Sequence, residues 1–201
     1  MSEHSHTMQL KERQLEIIIA AGKILNEEGI QYLTTKNLAE KLGVAEGTLY
    51  RHFKSKDDIL QKMLEFVEKD IQRRLLVLEE SDANEIDKIT SFFQSQTQFI
   101  LAHPYLLKII FSEAITIAQS QSMHHIKIML MIKKTLESML SKGQKNKTVR
   151  KDISSEILAH IIMSSFRLLL MKWMLMNQAF DVKKESKKLS VAFKKMITYI
   201  D

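Results

Sequence analysis

The sequence predicts an all-α fold in two parts. Glycine and proline break helices, and an average protein has roughly 12% of these two types together, whereas this chain has 5 Gly and 1 Pro among 201 residues. Apolar residues recur at helical spacing along most of the chain, and 45% of all residues are hydrophobic. This composition supplies enough apolar surface for a sizeable core of packed helices.

The N-terminal part contains three short helical segments. Helical periodicity predicts a first helix at about residues 9–28, with Gly29 as its stop signal. Thr34 or Thr35 can cap a second helix, which Gly43 ends because glycine adopts the left-handed conformation without strain. The third predicted helix covers 46–53, with Leu49 and Phe53 four residues apart on its inner face.

Longer helices follow from residue 56 onwards. Ser55, followed three residues later by Asp58, is typical of a capping box and predicts a fourth helix over 56–80. The only proline, Pro104, suits the first turn of a helix. Periodicity predicts five further helices, at 84–103, 104–119, 122–143, 153–177 and 182–200. We therefore expect nine helices in total.

Several classes of protein are disfavoured by composition and motifs. The chain has no Cys, and its polar N-terminal residues lack the apolar core of a signal peptide, so we expect a cytoplasmic protein. We expect no membrane span, because charged residues interrupt the most apolar segment, 153–176. Residues 142–201 carry 13 basic and 5 acidic side chains, an excess larger than the net charge of +6 of the whole chain, but basic runs of this kind are usually solvated surfaces. No catalytic motif, metal-binding cluster or cofactor loop is present, so we predict a non-enzymatic protein without metal or cofactor.

Residues 35–52 have the pattern of a helix-turn-helix. In this motif two short helices join at a glycine turn, and the second lies in the major groove of DNA. The pattern buries five apolar residues of the unit, namely Leu38, Ala39, Val44, Leu49 and Phe53. Thr48, Tyr50, Arg51 and His52 then share the outer surface, where hydroxyl, guanidinium and imidazole groups suit contacts with phosphate.

The run from Arg13 to Leu60 resembles the N-terminal domain of the TetR family of bacterial transcriptional repressors. Its core, GVAEGTLYRHFKSKDDIL, has Gly43, Gly47, Thr48, Leu49, Tyr50, Phe53 and Lys56 where the family's motif has them. The resemblance implies contacts with the DNA backbone for Thr35, Thr48, Tyr50, His52 and Lys56. It implies contacts with or near the bases for Glu46, Gly47 and Arg51, and Lys36 completes the predicted set.

Two residues at the start of the third helix raise separate questions. The family commonly has Ser at the cap position where this chain has Ala45, so we expect the capping hydrogen bond to be absent and the helix to order fully only on DNA. Glu46 has two interpretations. Its carboxylate either accepts a hydrogen bond from cytosine N4 or stabilises the helix dipole in place of the missing cap.

The expected architecture is an N-terminal three-helix DNA-binding domain with the helix-turn-helix, residues 1–56, and a C-terminal helical bundle for regulation and dimerisation, residues 57–201. A fainter resemblance to AcrR-like members of the family continues in 103–114, in 149–162 and at Trp173. The helix over 153–176 is apolar nearly all round and must be covered on both sides. With 182–200 it implies a homodimer through the last two helices, and hence a palindromic operator on double-stranded DNA.

The chain has 12 Met, most of them in the C-terminal part. Flexible, polarisable Met side chains suit a pocket for a small hydrophobic effector, but they fill ordinary cores equally well. The candidate lining residues are Phe92, Phe99, Phe111, Met129, Met163, Phe166, Leu170 and Trp173. The polar stripe of Glu156, His160, Ser164 and Arg167 either anchors a ligand or forms an interface seam.

We therefore predict a ligand-responsive repressor that a small hydrophobic molecule releases from its operator. One alternative is a helical carrier of lipids or other hydrophobic molecules. Another is an α-helical metal hydrolase, which would need His and carboxylate side chains to converge. A carrier would use the Met-rich half of the chain, but it would leave Thr48, Tyr50, His52 and Lys56 without a function.

Overall fold

The computed structural model describes residues 2–116 and 119–199, with the side chains of 13–111 and 126–199. These residues contain nine α-helices, one 3-10 helix at Ile30–Tyr32 and no strand. The helices are α1 Ser2–Glu27, α2 Thr35–Leu42, α3 Glu46–Tyr50, α4 Lys56–Glu79, α5 Glu85–Ala102, α6 Tyr105–Thr116, α7 Gln119–Lys145, α8 Ser155–Leu175 and α9 Val182–Ile197. The all-α prediction is confirmed, and each predicted helix has a counterpart.

Two predicted helix boundaries near the N-terminus need correction. The first helix begins at Ser2 rather than near residue 9, because no Gly or Pro interrupts its polar start. The third helix ends at Tyr50 rather than Phe53. The backbone N–H groups of His52 and Phe53 both donate to the Leu49 carbonyl at 2.8 Å, so the chain tightens there and leaves the helix. The junction at residues 117–118 and the predicted end at residue 200 lie outside the described residues.

Local capping signals fix the helix starts that the sequence predicted. Thr34 caps α2, because its hydroxyl accepts from the Asn37 N–H at 3.1 Å. Gly43 ends α2 in the left-handed conformation, with φ of 64°. Ser55 Oγ accepts from the Asp58 N–H at 3.2 Å, and Asp58 Oδ2 accepts from the Lys54 N–H at 2.8 Å. The predicted capping box therefore starts α4, although its carboxylate reaches one residue further back than usual.

The chain forms two compact units. The first consists of Met1–Val67 and His103–Ile117, and the second of Glu68–Ala102 and Ala118–Asp201. The helix α4 passes from one unit into the other. The domain boundary predicted at residue 56 does not coincide with the limit of a packing unit, since the first unit continues to Val67. The division of functions between 1–56 and 57–201 stays a prediction.

Within the first unit, α6 packs closely on α1. A Cβ atom at Gly22 would lie 2.7 Å from the ring of Tyr105, so glycine at this position permits the close approach. Burial raises the pKa of the Tyr105 hydroxyl. Lys108 Nζ donates to the carbonyls of Leu25 and Asn26 at 3.1 and 2.8 Å. The Lys108 ammonium group thereby provides hydrogen-bond donors for two carbonyl groups in the last turn of α1.

The second unit has an aromatic core with polar bonds between its helices. Phe93 on α5 packs on Phe166 of α8 and Phe193 of α9, with ring centroids 4.8 and 5.8 Å away. The buried hydroxyls of Thr97 and Ser186 lie 2.6 Å apart and join α5 to α9. These contacts hold the inner faces of α8 and α9.

The helix α8 has one buried and one exposed apolar face. Leu158, Ile162 and Phe166 are buried, but a second apolar stripe is exposed. By length and composition alone α8 could cross a membrane, the one such helix in the described part of the chain. The expectation that it is a buried helix and not a membrane span stays a prediction. Core helices of globular proteins meet the same criterion, and the buried face of α8 packs as a core helix does.

Candidate nucleic-acid interface

The helix-turn-helix forms as the sequence predicts. Leu38 and Ala39 of α2, Leu49 of α3 and the following Phe53 are buried, whereas Val44 in the turn is only half-buried. These side chains fix α2 against α3 from the inside. The opposite surface of both helices is left for a partner.

All nine residues predicted to bind DNA lie in the first unit and reach its surface. Exposed residues are Lys36, Glu46, Gly47, Tyr50 and Arg51, and half-buried residues are Thr35, Thr48, His52 and Lys56. Tyr50 leaves 53% of its surface exposed, which agrees with a contact residue rather than a core residue. Their roles in DNA binding stay predictions.

Three of these residues form a hydrogen-bonded chain across α2 and α3. Thr35 Oγ1 donates to Glu46 Oε1 at 2.5 Å, and the Tyr50 hydroxyl lies 3.3 Å from Thr35 Oγ1. Because the single hydroxyl proton of Thr35 goes to the carboxylate, Tyr50 must donate to Thr35. We name this set the Thr35–Glu46–Tyr50 chain. The sequence alone did not predict it, although the use of Thr34 as the cap is what leaves the Thr35 hydroxyl available.

Lys56, which is predicted to contact the DNA backbone, also makes a hydrogen bond within the protein. Its Nζ atom donates to the Ile30 carbonyl at 2.7 Å and so joins the start of α4 to the 3-10 helix. An ammonium group has three donors. The bond to Ile30 therefore leaves donors for a phosphate at the same position.

Gly47 is not required by the packing of this chain. A Cβ atom at this position would meet nothing within 4 Å, and its φ is not in the positive range that Gly29 and Gly43 occupy. Glycine inside a helix costs about 0.5–1 kcal/mol relative to alanine. The absence of a side chain here fits a surface that something outside the chain approaches closely.

The start of α3 confirms one prediction. Ala45 occupies the cap position and makes no capping hydrogen bond. The structure nevertheless has α3 as a short helix, and whether it orders fully only on DNA stays a prediction. The Glu46 carboxylate at its first position is the acidic group nearest the helix start.

The predicted pocket residues are scattered. Phe92, Phe166, Leu170 and Trp173 are buried in the second unit, Phe99 and Met163 are half-buried there, and Phe111 is buried in the first unit. Met129 leaves 42% of its surface exposed. Phe92 and Phe166 both pack on Phe93, so they contribute to the core whether or not a ligand binds.

The second unit contains a charged cluster around Arg74 that was not predicted from the sequence. Arg74 donates to Asp70 Oδ2 at 2.7 Å and to Gln96 Oε1 at 2.9 Å, and its guanidinium lies 4.8 Å from the Phe99 ring centroid. Burial lowers the pKa of Arg74, and the neighbouring Asp70 carboxylate opposes this shift. The i,i+4 spacing of Asp70 and Arg74 could have predicted their ion pair from the sequence. The contacts of Arg74 with Gln96 and Phe99 on α5 depend on the packing of two helices and could not.

The polar stripe of α8 lies on the surface. Glu156, His160, Ser164 and Arg167 are all exposed, and Glu156 accepts from Lys133 Nζ at 3.2 Å. This placement favours the interface interpretation over ligand anchoring. Among the described residues, no three His, Cys, Asp or Glu side chains are close enough to hold a metal ion.

Two family models match the chain. Residues 17–63 match the bacterial regulatory proteins of the tetR family, and residues 83–199 match the C-terminal region of MAATS-type transcriptional repressors. The first match covers the helix-turn-helix, and the second covers more than half of the chain.

Among curated relatives, the chain is similar to nucleoid occlusion factors. It is 30% identical to SlmA of Idiomarina loihiensis over 107 residues, which cover 53% of this chain and 55% of that protein. It is 31% identical to SlmA of Vibrio cholerae over 104 residues, 51% of this chain and 53% of that protein. The chain thus spans about half the length of the curated relatives it matches.

Solved structures share the whole fold. The ketosteroid transcriptional regulator KstR2 of Mycobacterium tuberculosis has a TM-score of 0.78 at 19% identity, with 94% of this chain and 96% of that one covered. FadR of Bacillus subtilis, solved with stearoyl-CoA, has a TM-score of 0.76 at 19% identity, with 89% and 96% covered. With both family models matched in order along a helix-turn-helix and a helical bundle, the chain belongs to the TetR family of bacterial regulatory proteins.

Proposed function

We propose that this chain is a homodimeric, ligand-responsive DNA-binding transcriptional regulator that acts as a repressor on a palindromic operator in the cytoplasm. The observation that carries the proposal is the outer surface of α2 and α3. There, hydroxyl and basic side chains surround Gly47, where an added Cβ would meet open space. Phosphate groups accept hydrogen bonds from such side chains, and a DNA backbone or base edge can approach a glycine closely.

Dimerisation through α8 and α9 is supported by an exposed apolar stripe. Ile157, Ile161, Leu168 and Leu175 of α8 are all exposed, and their spacing of 4, 7 and 7 residues places them on one face. Val191 adds an exposed apolar residue on α9. Such stripes mark protein interfaces, and a two-fold dimer places two recognition helices about 34–36 Å apart on DNA.

The proposed effector is a small hydrophobic molecule. The similar solved structures include a ketosteroid transcriptional regulator and the transcriptional regulator FadR of Bacillus subtilis in complex with stearoyl-CoA. The second unit of this chain has an aromatic, Met-containing core. Because α4 belongs to both units, an effector that shifts it would change operator binding. A coupling of about 1–3 kcal/mol changes affinity roughly 5–150-fold. Equal effector affinity with and without operator would contradict this mechanism.

A second candidate function is nucleoid occlusion, because the similar SlmA proteins are nucleoid occlusion factors. It is favoured by their 30–31% identity. Such a protein would also bind specific DNA. An effector that releases the operator would distinguish the repressor from this candidate.

The test is selection of bound sequences from random duplex DNA at two salt concentrations. The wild type is compared with Tyr50→Ala and with Tyr32→Ala, because Tyr32 is 49% exposed in the same unit and has no predicted role. We expect an enriched palindrome with the wild type and Tyr32→Ala that is lost with Tyr50→Ala. Binding without enrichment that only fades with salt would be the attraction of any basic protein, and it would favour the carrier function.

A further inference from the structure

We infer that Glu46 determines sequence specificity by withholding two phosphate contacts until it meets a matching base, provided that the chain binds an operator as proposed above. In the free protein the Glu46 carboxylate holds the hydroxyl of Thr35, and through it that of Tyr50. A base with an amino group in the major groove can replace Thr35 as the donor to Glu46. The two hydroxyls then become available to the DNA backbone.

The number of protons in the Thr35–Glu46–Tyr50 chain supports this role. A carboxylate only accepts, and each hydroxyl has one proton to donate. Thr35 donates to Glu46 at 2.5 Å, and Tyr50 can donate to Thr35 at 3.3 Å. While the chain of bonds is intact, neither hydroxyl has a proton for a phosphate oxygen.

Charge acts in the same direction. A carboxylate beside the predicted backbone contacts repels phosphate at short range. Glu46 and Tyr50 are both exposed, so the Glu46 side chain has room to turn away from Thr35. Turning costs a hydrogen bond and is favourable only where another donor replaces it.

The bases differ in whether they offer that donor. Cytosine presents its N4 amino group in the major groove, and a carboxylate accepts from it, whereas thymine presents a carbonyl oxygen and a methyl group. At a cytosine, Glu46 exchanges one donor for another and releases both hydroxyls. At a thymine the Glu46 carboxylate stays bonded to Thr35, and the two hydroxyls make no contact with phosphate. Specificity then arises because the wrong base costs the protein these two phosphate contacts.

The first experiment measures the binding ratio between two duplexes that differ at one position per half-site, cytosine in one and thymine in the other. We expect the wild type to prefer cytosine by at least about 5-fold, the lower end for a specific base contact. Glu46→Ala should lose this preference and bind random duplex more tightly than the wild type, because a negative charge is removed and two hydroxyls are released.

The matched control is Glu40→Ala, which removes an exposed carboxylate from α2 of the same unit. It should keep the cytosine preference and strengthen binding to both duplexes equally. If Glu46→Ala instead weakens binding to both duplexes by the same factor, Glu46 only joins α2 to α3, and a role in specificity is contradicted.

The second variant, Glu46→Gln, tests the base contact through a switch in base preference. A variant that is only less stable would bind less DNA but would not prefer a different base. A Gln side chain pairs with adenine N6 and N7, so selection with this variant should change the preferred base at one position per half-site from cytosine to adenine. That position also identifies the base used in the duplex comparison. An unchanged preference would contradict the role of Glu46.

These outcomes separate the role of Glu46 from the proposed function. If the wild type enriches no palindrome, the chain is not an operator-binding regulator. If it enriches a palindrome and both Glu46 variants keep its base preferences, DNA binding stands and the role of Glu46 fails. Thermal unfolding of each variant checks that the first unit is folded.

Discussion

The two surfaces proposed for binding, one in each unit, are organised in opposite ways. On α2 and α3 the predicted contact residues bond to one another, as Thr35 and Glu46 do at 2.5 Å. On α8 and α9 the exposed apolar residues make no such bonds to one another, and buried contacts on the opposite side of α8 fix their positions. Phe166 packs on Phe93, and Trp173 Nε1 donates to the Phe180 carbonyl at 3.0 Å.

This difference follows from the chemistry of each proposed partner. Polar groups in a free protein can bond to each other and exchange those bonds for new ones when a polyanion arrives. Apolar groups have no bonds to exchange, so their arrangement depends on the packing behind them. We therefore expect the first surface to rearrange its hydrogen bonds when DNA binds, and the second to keep its shape when a second chain binds.

The largest expected effect is on the apolar surface. Leu168 on α8 is 58% exposed, and Leu168→Glu would bury an unpaired charge at a dimer interface, which costs about 3–5 kcal/mol. We expect the dimer dissociation constant to rise by more than about 100-fold, measured by sedimentation equilibrium. Leu15→Glu, at a residue 43% exposed on α1, is the control and should leave the dimer intact. A Leu168→Glu variant that stays dimeric would place the interface elsewhere.

The next effect concerns the polar surface. Tyr50→Phe removes the hydroxyl and keeps the exposed ring, so the free energy of unfolding should change little. A hydrogen bond to a charged group contributes about 1.5–3 kcal/mol, and we expect operator affinity to fall by about 10-fold or more in a fluorescence titration. Tyr32→Phe should bind as the wild type does. Equal losses in both variants would show that the hydroxyl of Tyr50 has no particular role.

Helix capping provides a pair of opposite substitutions. Ser154 Oγ accepts from the Ile157 N–H at 3.3 Å and caps α8, whereas Ala45 gives α3 no such bond. Ser154→Ala should lower the free energy of unfolding by about 1 kcal/mol, and Ala45→Ser should raise it by a similar amount. Urea unfolding measures both. If Ala45→Ser has no effect, Glu46 already compensates for the missing cap.

Gly47→Ala should separate stability from binding. Because an added Cβ meets nothing within 4 Å, the free energy of unfolding should rise by about 0.5–1 kcal/mol, while operator affinity falls because the new methyl group faces the DNA. Gly43→Ala is the contrasting control, since its φ of 64° makes the same change destabilising. If Gly47→Ala binds the operator normally, DNA does not approach this residue closely.

The smallest effect is electrostatic. The Asp87 side chain accepts from Lys194 Nζ at 3.0 Å, and the hydrogen bonds from Lys194 and Asn84 lower the pKa of Asp87 below its ordinary 3.8. A lowered carboxyl pKa stabilises the folded state above pH 3.8, and this stability is lost as pH falls through the folded pKa. Lys194→Ala should cost less than about 1 kcal/mol at pH 7, because the pair is exposed. This cost should diminish as pH falls through the folded pKa of Asp87, where the carboxylate gains its proton, and a cost that does not depend on pH would contradict the ion pair.

Much of the helix pattern could be predicted because its signals are local. Gly43, the Ser55 and Asp58 capping box, and the cap before Asn37 each act within four residues. The buried face of the helix-turn-helix followed in the same way from helical spacing. The end of α3 was predicted less well. The N–H groups of His52 and Phe53 both donate to the Leu49 carbonyl, and the spacing of apolar residues does not show that the last turn tightens in this way.

The amino-acid sequence by itself determined the helices, the helix-turn-helix and the residues on its outer surface, because periodicity and capping are properties of neighbouring residues. Only the tertiary structure decided which polar groups meet. Glu46 with Thr35, Lys56 with the Ile30 carbonyl and Arg74 with Gln96 join residues 11, 26 and 22 positions apart. No periodic pattern encodes such pairs, since they arise when separate helices pack. The tertiary structure likewise left one face of α8 uncovered, because other helices bury only its opposite side.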